Sequence, residues 1–226
     1  MSSRLPFLEG RARSFLRRRG YHVAIERYSA RYLASYDFKI ATLVDIGVLN
    51  GTPQLYAAFP NAHLVLIDPL PDLTSRSARW ADRQAGVTVI NMGAGSSETT
   101  AELTLAENTS SFLKRLDGLG KPTGSVAARI APLDTILSEH DVTGPLGIKI
   151  DTEGFELEVL KGASRALADA VFVIAEVSLI KRFEASYRPS ELFAEFARHG
   201  FELRDVMPNF RHNRYFDALF TRMNDR

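Results

Sequence analysis

From residue 42 onward, short apolar runs alternate with stretches whose apolar positions recur every three to four residues. Thr42–Ile46, Leu64–Ile67, Val87–Ile90, Leu146–Ile150 and Val171–Glu176 are rich in β-branched residues and bounded by Gly, Asp or Asn. Runs that are apolar at nearly every position suit strands covered on both faces, as in a parallel sheet. Between the third and fourth runs, Thr100–Leu105 and Ser125–Leu133 predict an antiparallel insertion joined by a polar, glycine-rich loop at 117–124. In the later crossovers, Phe155, Val159, Leu160, Ala163 and Leu167 share one face of a helix, and Leu192, Phe193, Phe196 and Ala197 one face of a second. Ser190 is the expected N-cap of that second helix and Gly200 its stop. Phe201–Val206 and Tyr215–Thr221 are expected to close the sheet as a hairpin. The pattern predicts an α/β fold with a doubly wound, mostly parallel, seven-stranded Rossmann-like sheet over residues 41–226.

Ahead of this lies an N-terminal helical extension, residues 1–40, with Leu5, Leu8, Phe15, Leu16, Tyr28, Tyr32, Leu33 and Tyr36 as packing positions and Gly20 as a break. Charge changes the picture of this arm. The chain carries a net +1, but residues 1–40 hold nine Lys/Arg against three Asp/Glu, and the remainder is acidic. The arm is either a solvated helix face or a surface for an anionic partner, and a homodimer contact is open to it. The acidic remainder argues against a broad nucleic-acid surface. There are no cysteines, which excludes disulfides, zinc–thiolate sites and cysteine nucleophiles. No apolar run reaches the roughly 18–20 residues of a membrane span. Arginines interrupt the N-terminal apolar stretches of a would-be signal peptide, so the expectation is a cytoplasmic protein without a transmembrane segment.

The most informative stretch is Val44-Asp45-Ile46-Gly47-Val48-Leu49-Asn50-Gly51-Thr52-Pro53, a strand running into a glycine turn and a helix start. Gly47 and Gly51 let a backbone approach a ligand closely, at the strand end where open α/β sheets bind theirs. Asp68 ends the next strand and is placed to accept both hydroxyls of a ribose, with Pro69 following it. A nicotinamide dinucleotide is the competing ligand. The usual Gly-x-Gly-x-x-Gly is missing, since Leu49 and Thr52 occupy the second and third glycine positions, and there is no Tyr-x-x-x-Lys pair. A carboxylate at Asp45 would repel a pyrophosphate and attract the amino group of a methionine tail. The expected donor is therefore S-adenosylmethionine, held by Asp45, Gly47, Asn50, Gly51, Asp68 and Pro69. An NAD(P)-dependent oxidoreductase and a non-catalytic nucleoside-binding module are the alternatives.

Lys149-Ile150-Asp151-Thr152-Glu153-Gly154-Phe155-Glu156-Leu157-Glu158-Val159-Leu160-Lys161-Gly162-Ala163 resembles the signature of the FkbM-type methyltransferases. Leu133–Leu137 and Glu176–Ser178 sit where that family has similar segments, so the resemblance runs over roughly 42–221. It implies a class I methyltransferase fold, S-adenosylmethionine as donor, and O-methylation of a sugar or other small-molecule hydroxyl. It also implies that the Asn91–Gly95 loop borders the adenine, with Asn91 or Ala94 at the ring edge, and that Ser110, in Asn108-Thr109-Ser110-Ser111, lies near the cofactor. The family often has Gly-Ala-Asn after the first strand, where this chain has Gly47-Val48-Leu49.

Methyl transfer to a hydroxyl needs a group that takes the proton. Asp151, closing an apolar strand, is the leading candidate. Glu153 stands two residues on, where a second carboxylate raises the affinity of both for protons, and it equally suits a helix start. Glu176 is placed to line the acceptor pocket, and Asp134 to cap a helix at 135–138. His212, in a polar loop, is the backup base; the other histidines (His22, His63, His140, His199) form no ligand pair. The carboxylates would admit Mg²⁺, but no spacing requires a metal.

Overall fold

The computed structural model describes residues 5–21, 26–80, 84–107, 109–208 and 214–222. Five apolar runs form the parallel strands β1 (Thr42–Ile46), β2 (His63–Ile67), β3 (Val87–Ile90), β7 (Leu146–Ile150) and β8 (Ala170–Ser178). The hairpin β9 (Phe201–Pro208) and β10 (Tyr215–Arg222) adds its second strand antiparallel to β8. The order is β3-β2-β1-β7-β8-β10-β9, seven strands with five parallel, as the apolar runs predicted. Winding leaves β1 in one direction toward β3 and resumes at β7 in the other, so the carboxyl ends of β1 and β7 form the switch point where such sheets bind ligands.

A second sheet, β4 (Gly93–Gly95), β5 (Thr99–Ala106) and β6 (Pro122–Pro132), is the expected insertion with one strand more. β4 runs parallel to β6, and β5 antiparallel to it.

Helices cover both faces. Against one lie α5 (Leu133–Glu139), α6 (Glu156–Lys161), α7 (Ser164–Ala168) and α8 (Pro189–Arg198), packing Ile136, Val159, Leu167 and Phe196 onto Val44, Ile148 and Val173. Against the other lie α2 (Ala30–Ala34), α3 (Pro53–Ala58) and α4 (Leu73–Ser77), with Leu33, Leu55 and Leu73 on Leu43, Leu64 and Ile174. Of the helical extension, α1 (Leu5–Arg18) precedes Gly20, and the part around α2 is clamped to β9. There Arg27, Tyr32 and Tyr36 all donate to the Asp205 carboxylate, at 2.5, 2.8 and 2.5 Å. Among the described residues no helix is long and apolar enough to cross a membrane.

Three local expectations need correcting. The helix predicted over 155–167 is two helices, because Gly162 ends α6 against β4: a Cβ there would meet the Gly95 carbonyl oxygen at 2.0 Å. Asp134 does not cap its own helix. Its carboxylate accepts the backbone N–H of Arg165 and Ala166, both at 2.8 Å, and so caps α7. In α8, Pro189 takes the first helical position, which moves the cap to Arg188, whose N–H is accepted by Glu191 at 2.6 Å; Ser190 is already inside the helix.

Candidate functional site

A cavity of about 350 Å³ opens at the carboxyl ends of β1, β2, β7 and β8 and is roofed by the insertion. This volume lies in the range of small-molecule sites. Ile46, Gly47, Ile67 and Asp68 line one side, Asp151, Thr152, Glu153 and Phe155 another, and Thr109, Ser110, Ser111 and Phe112 come from the insertion. Glu176 of β8 with Tyr215 and Asp217 of β10 close the far end. The lining therefore contains five carboxylates, and no Lys, Arg or His among the described residues.

Gly47 sits at φ +82°, and a Cβ on it would fall 1.8 Å from the Asp151 carbonyl oxygen. Glycine is what allows the β1 turn and the β7 end to touch. Asp68 carries two backbone bonds, from Leu49 N–H at 2.9 Å to one oxygen and Leu70 N–H at 3.0 Å to the other. Both oxygens keep further accepting capacity at the cavity wall. Burial raises the proton affinity of this carboxyl, and the backbone donors oppose that.

The structure brings Gly47, Asp68, Pro69, Ala94, Ser110, Asp151 and Glu153 together on the cavity wall. Asp45, Asn50, Gly51 and Asn91 are elsewhere. Asp45 is fully buried beneath the turn, accepting from Thr52 Oγ1 at 2.9 Å and from the Tyr56 hydroxyl. β1 alternates sides: Val44 and Ile46 face one core, and Asp45 therefore points into the other. Asn50 Oδ1 accepts from Arg76 at 3.2 Å, outside the cavity. Gly51, at φ +82°, makes room for Trp80, whose Nε1 would lie 2.7 Å from a Cβ. Asn91 Nδ2 donates to the carbonyls of Asp68 (3.2 Å) and Leu70 (2.5 Å), tying down the loop after β2. Ser110 lines the cavity while its hydroxyl bonds the Ala106 backbone. His212 and Asn108 lie outside the described residues.

The two leading base candidates are both engaged. Asp151 Oδ2 accepts from Lys149 Nζ at 2.9 Å. Lys149 itself is 4% exposed and lies 3.8 Å from Asp45 Oδ1. Glu153 stands at φ 52°, a left-handed conformation unusual for a residue with a Cβ. Its Oε2 receives Arg115 at 2.7 Å and Arg182 at 2.6 Å. Burial, and Asp151 beside it, push Glu153 up to about 7 against the pull of the two guanidiniums. Glu176 pairs with Arg182, which is 3% exposed. Burial and the neighbouring Asp151 raise its proton affinity too.

Asp151, Glu156 and Glu176 each offer an oxygen within 4.8 Å of the others. Each is already compensated: Asp151 by Lys149, Glu176 by Arg182, and Glu156 by the N–H groups of Thr152 (2.9 Å) and Gly154 (3.1 Å). Sequence reasoning missed Lys149, Arg182, Tyr215 and Asp217. Lys149 and Asp217 were visible as charges interrupting apolar strands, Leu-Gly-Ile-Lys-Ile and Tyr-Phe-Asp-Ala-Leu-Phe.

Comparison with known proteins gives a match of residues 45–203 to the methyltransferase FkbM domain. A hexuronic acid methyltransferase of Haloferax volcanii is 31% identical over 137 residues, 60% of this chain and 55% of the relative. The chain thus spans about half the length of that curated relative. Among solved structures, the magnesium protoporphyrin IX methyltransferase of Synechocystis with bound SAM superposes with TM-score 0.48 and 10% identity, over 85% of this chain and 76% of that one. Aeropyrum pernix fibrillarin with natively bound S-adenosyl-L-methionine gives TM-score 0.49 and 9% identity, over 80% and 66%.

Proposed function

Because the chain belongs to the FkbM methyltransferase family, we propose that it transfers a methyl group from S-adenosylmethionine to a hydroxyl of a sugar or other small molecule. The observation that carries the reading is the cavity wall, with five carboxylates and no cationic side chain among the described residues. Such a wall attracts a sulfonium and repels a pyrophosphate, which disfavours NAD(P). A sugar acceptor is supported by the name of the Haloferax relative, a hexuronic acid methyltransferase.

The residues present fit the donor. Asp68 has the free lone pairs that ribose hydroxyls need, and Leu70, Met92, Ala94 and Phe112 offer an apolar wall for a purine. Gly47 and Leu49 present backbone beside them. Bound there, S-adenosylmethionine supplies an electrophilic methyl on a sulfonium. The protein's own part is alignment of the acceptor, worth on the order of 7–11 kcal/mol at most, and removal of its proton, worth roughly 10²–10⁴-fold. Ser111 Oγ, donating to the Glu153 carbonyl at 2.9 Å, pins the insertion over this end of the cavity.

Calorimetric titration with S-adenosylhomocysteine and, separately, with NAD tests the reading. The expected result is micromolar binding of the first and none of the second; binding of NAD alone would make the oxidoreductase the better reading. Asp68→Ala should weaken S-adenosylhomocysteine by roughly 30-fold or more, the loss of hydrogen bonds to a charged acceptor at about 1.5–3 kcal/mol each.

A further inference from the structure

Every carboxylate of the cavity except one is held by a donor within the protein. Asp68 takes two backbone N–H groups, Asp151 the Lys149 ammonium, Glu153 two guanidiniums, and Glu176 that of Arg182. Asp217 lines the same cavity, and among the described residues no hydrogen-bond donor reaches its carboxylate. It is not free for want of burial. It stands near the start of β10, in register with Glu176 of β8 on one side and Met207 of β9 on the other. The charged groups around it are Lys149 of β7, Asp45 of β1, Asp151 beyond the end of β7, and Glu176; the Tyr28 hydroxyl approaches from ahead of α2. Burial is the largest influence on it and raises its proton affinity; Lys149 opposes that, and Asp151 and Asp45 add to the rise. The Asp217 carboxyl is accordingly pushed up to about 7.

We propose that Asp217 is the group that answers the donor's charge: it gives up its proton when a sulfonium occupies the cavity, and then stands as the base that takes the acceptor's proton. The proposal rests on the donor reading above. The charge count at this end of the cavity balances with the donor bound and again after transfer. Before binding, Asp217 holds its proton in about half of the molecules at pH 7; on binding, that proton leaves to solvent and a carboxylate faces a cation. In transfer, the sulfur–methyl bond breaks, the methyl–oxygen bond forms, and the hydroxyl proton passes to an Asp217 oxygen. A neutral thioether then faces a neutral carboxylic acid. Neither the bound donor nor the products then leave an unpaired charge at this end of a buried site, where it would be costly.

The test needs no acceptor. S-adenosylmethionine and S-adenosylhomocysteine, which differ by one positive charge, are titrated calorimetrically at pH 7 in buffers of different ionisation enthalpy. The wild type should release roughly 0.3–0.5 proton more with the sulfonium than with the thioether, since a cation nearby lowers a carboxyl's proton affinity. In Asp217→Asn the difference should vanish. The affinity ratio of the two ligands should also move about tenfold toward the thioether, with thioether affinity held within about threefold. Glu153→Gln should keep the proton difference. If Asp217→Asn retains it, or Glu153→Gln removes it, the assignment to Asp217 is wrong. Should the wild type bind both ligands with equal proton release, the assignment fails while the donor reading stands. Binding of neither overturns the donor reading and this one with it.

Discussion

Replacing Lys149 with methionine is expected to lower the stability of the protein by about 3 kcal/mol at pH 8, and the deficit should shrink as the pH falls. Lys149 is buried with Asp151 Oδ2 at 2.9 Å and Asp45 Oδ1 at 3.8 Å. Methionine matches its stem in volume and removes the charge with its hydrogen bond to Asp151, so the loss measures what the ammonium does for the acids around it. Asp45 is the costly one, with no exposure. It keeps Thr52 and Tyr56 as donors, and Asp151, with 31% of its side chain exposed, is partly solvated. Both facts hold the cost to the lower end of the roughly 3–5 kcal/mol for breaking a buried pair. The sign with pH follows from Asp45, whose proton affinity burial already raises and Lys149 lowers. A carboxyl that binds its proton more tightly folded than unfolded gains stability for the fold as pH falls. Removing Lys149 deepens that shift, so thermal melts should show a gap of roughly 6–12 °C at pH 8 narrowing by pH 5. Asp45→Asn combined with Lys149→Met should recover part of the loss at pH 8. A gap independent of pH would mean that Lys149 acts through packing alone.

Strand positions were legible because they depend on local composition. The runs at Thr42–Ile46, Val87–Ile90 and Leu146–Ile150 have in the structure the ends that the flanking Gly, Asp and Asn marked. β4 was not legible. Gly-Ala-Gly has no strand preference of its own, and its pairing comes from β6, some 37 residues away. The same holds for Asp134, whose carboxylate looks in sequence like a cap for the helix it stands in. The first turn of α7 claims it instead, through the Arg165 and Ala166 N–H groups, and that partnership exists only once α5 and α7 pack.

At the site, the sequence named the strand ends correctly but not the direction of each side chain. The period of two in β1 told that Asp45 and its neighbours Val44 and Ile46 look opposite ways; it did not tell which side holds the cavity. Asp45 went under the turn, and Asp217 of β10, 172 residues later in the chain, faces the cavity beside the expected Asp68, Asp151, Glu153 and Glu176. Nor could spacing show that Glu153 and Glu176 share Arg182, since that residue belongs to the loop after β8.

The second large effect is expected at Gly47. Alanine there should destabilise the protein by about 3–5 kcal/mol, roughly 10 °C in melting temperature, and abolish S-adenosylhomocysteine binding. Two costs combine. A Cβ at φ +82° is strained by about 1–2 kcal/mol whatever surrounds it. Here it would also stand 1.8 Å from the Asp151 carbonyl oxygen and 2.6 Å from its carbon, backbone atoms that cannot rotate away. Relief requires β1 and β7 to part at their carboxyl ends, which strains the Asp151 N–H bond to the Ile46 carbonyl (2.9 Å) and that of Gly47 N–H to Ile67 (3.0 Å). Gly20 separates the two costs. It has the same φ of +82°, but an added Cβ there meets nothing within 4 Å. Gly20→Ala should therefore show the conformational strain alone, and the excess in Gly47→Ala the steric one. If the two variants melted within 2 °C of each other, the contact between the first and fourth parallel strands would not be what requires glycine at this turn.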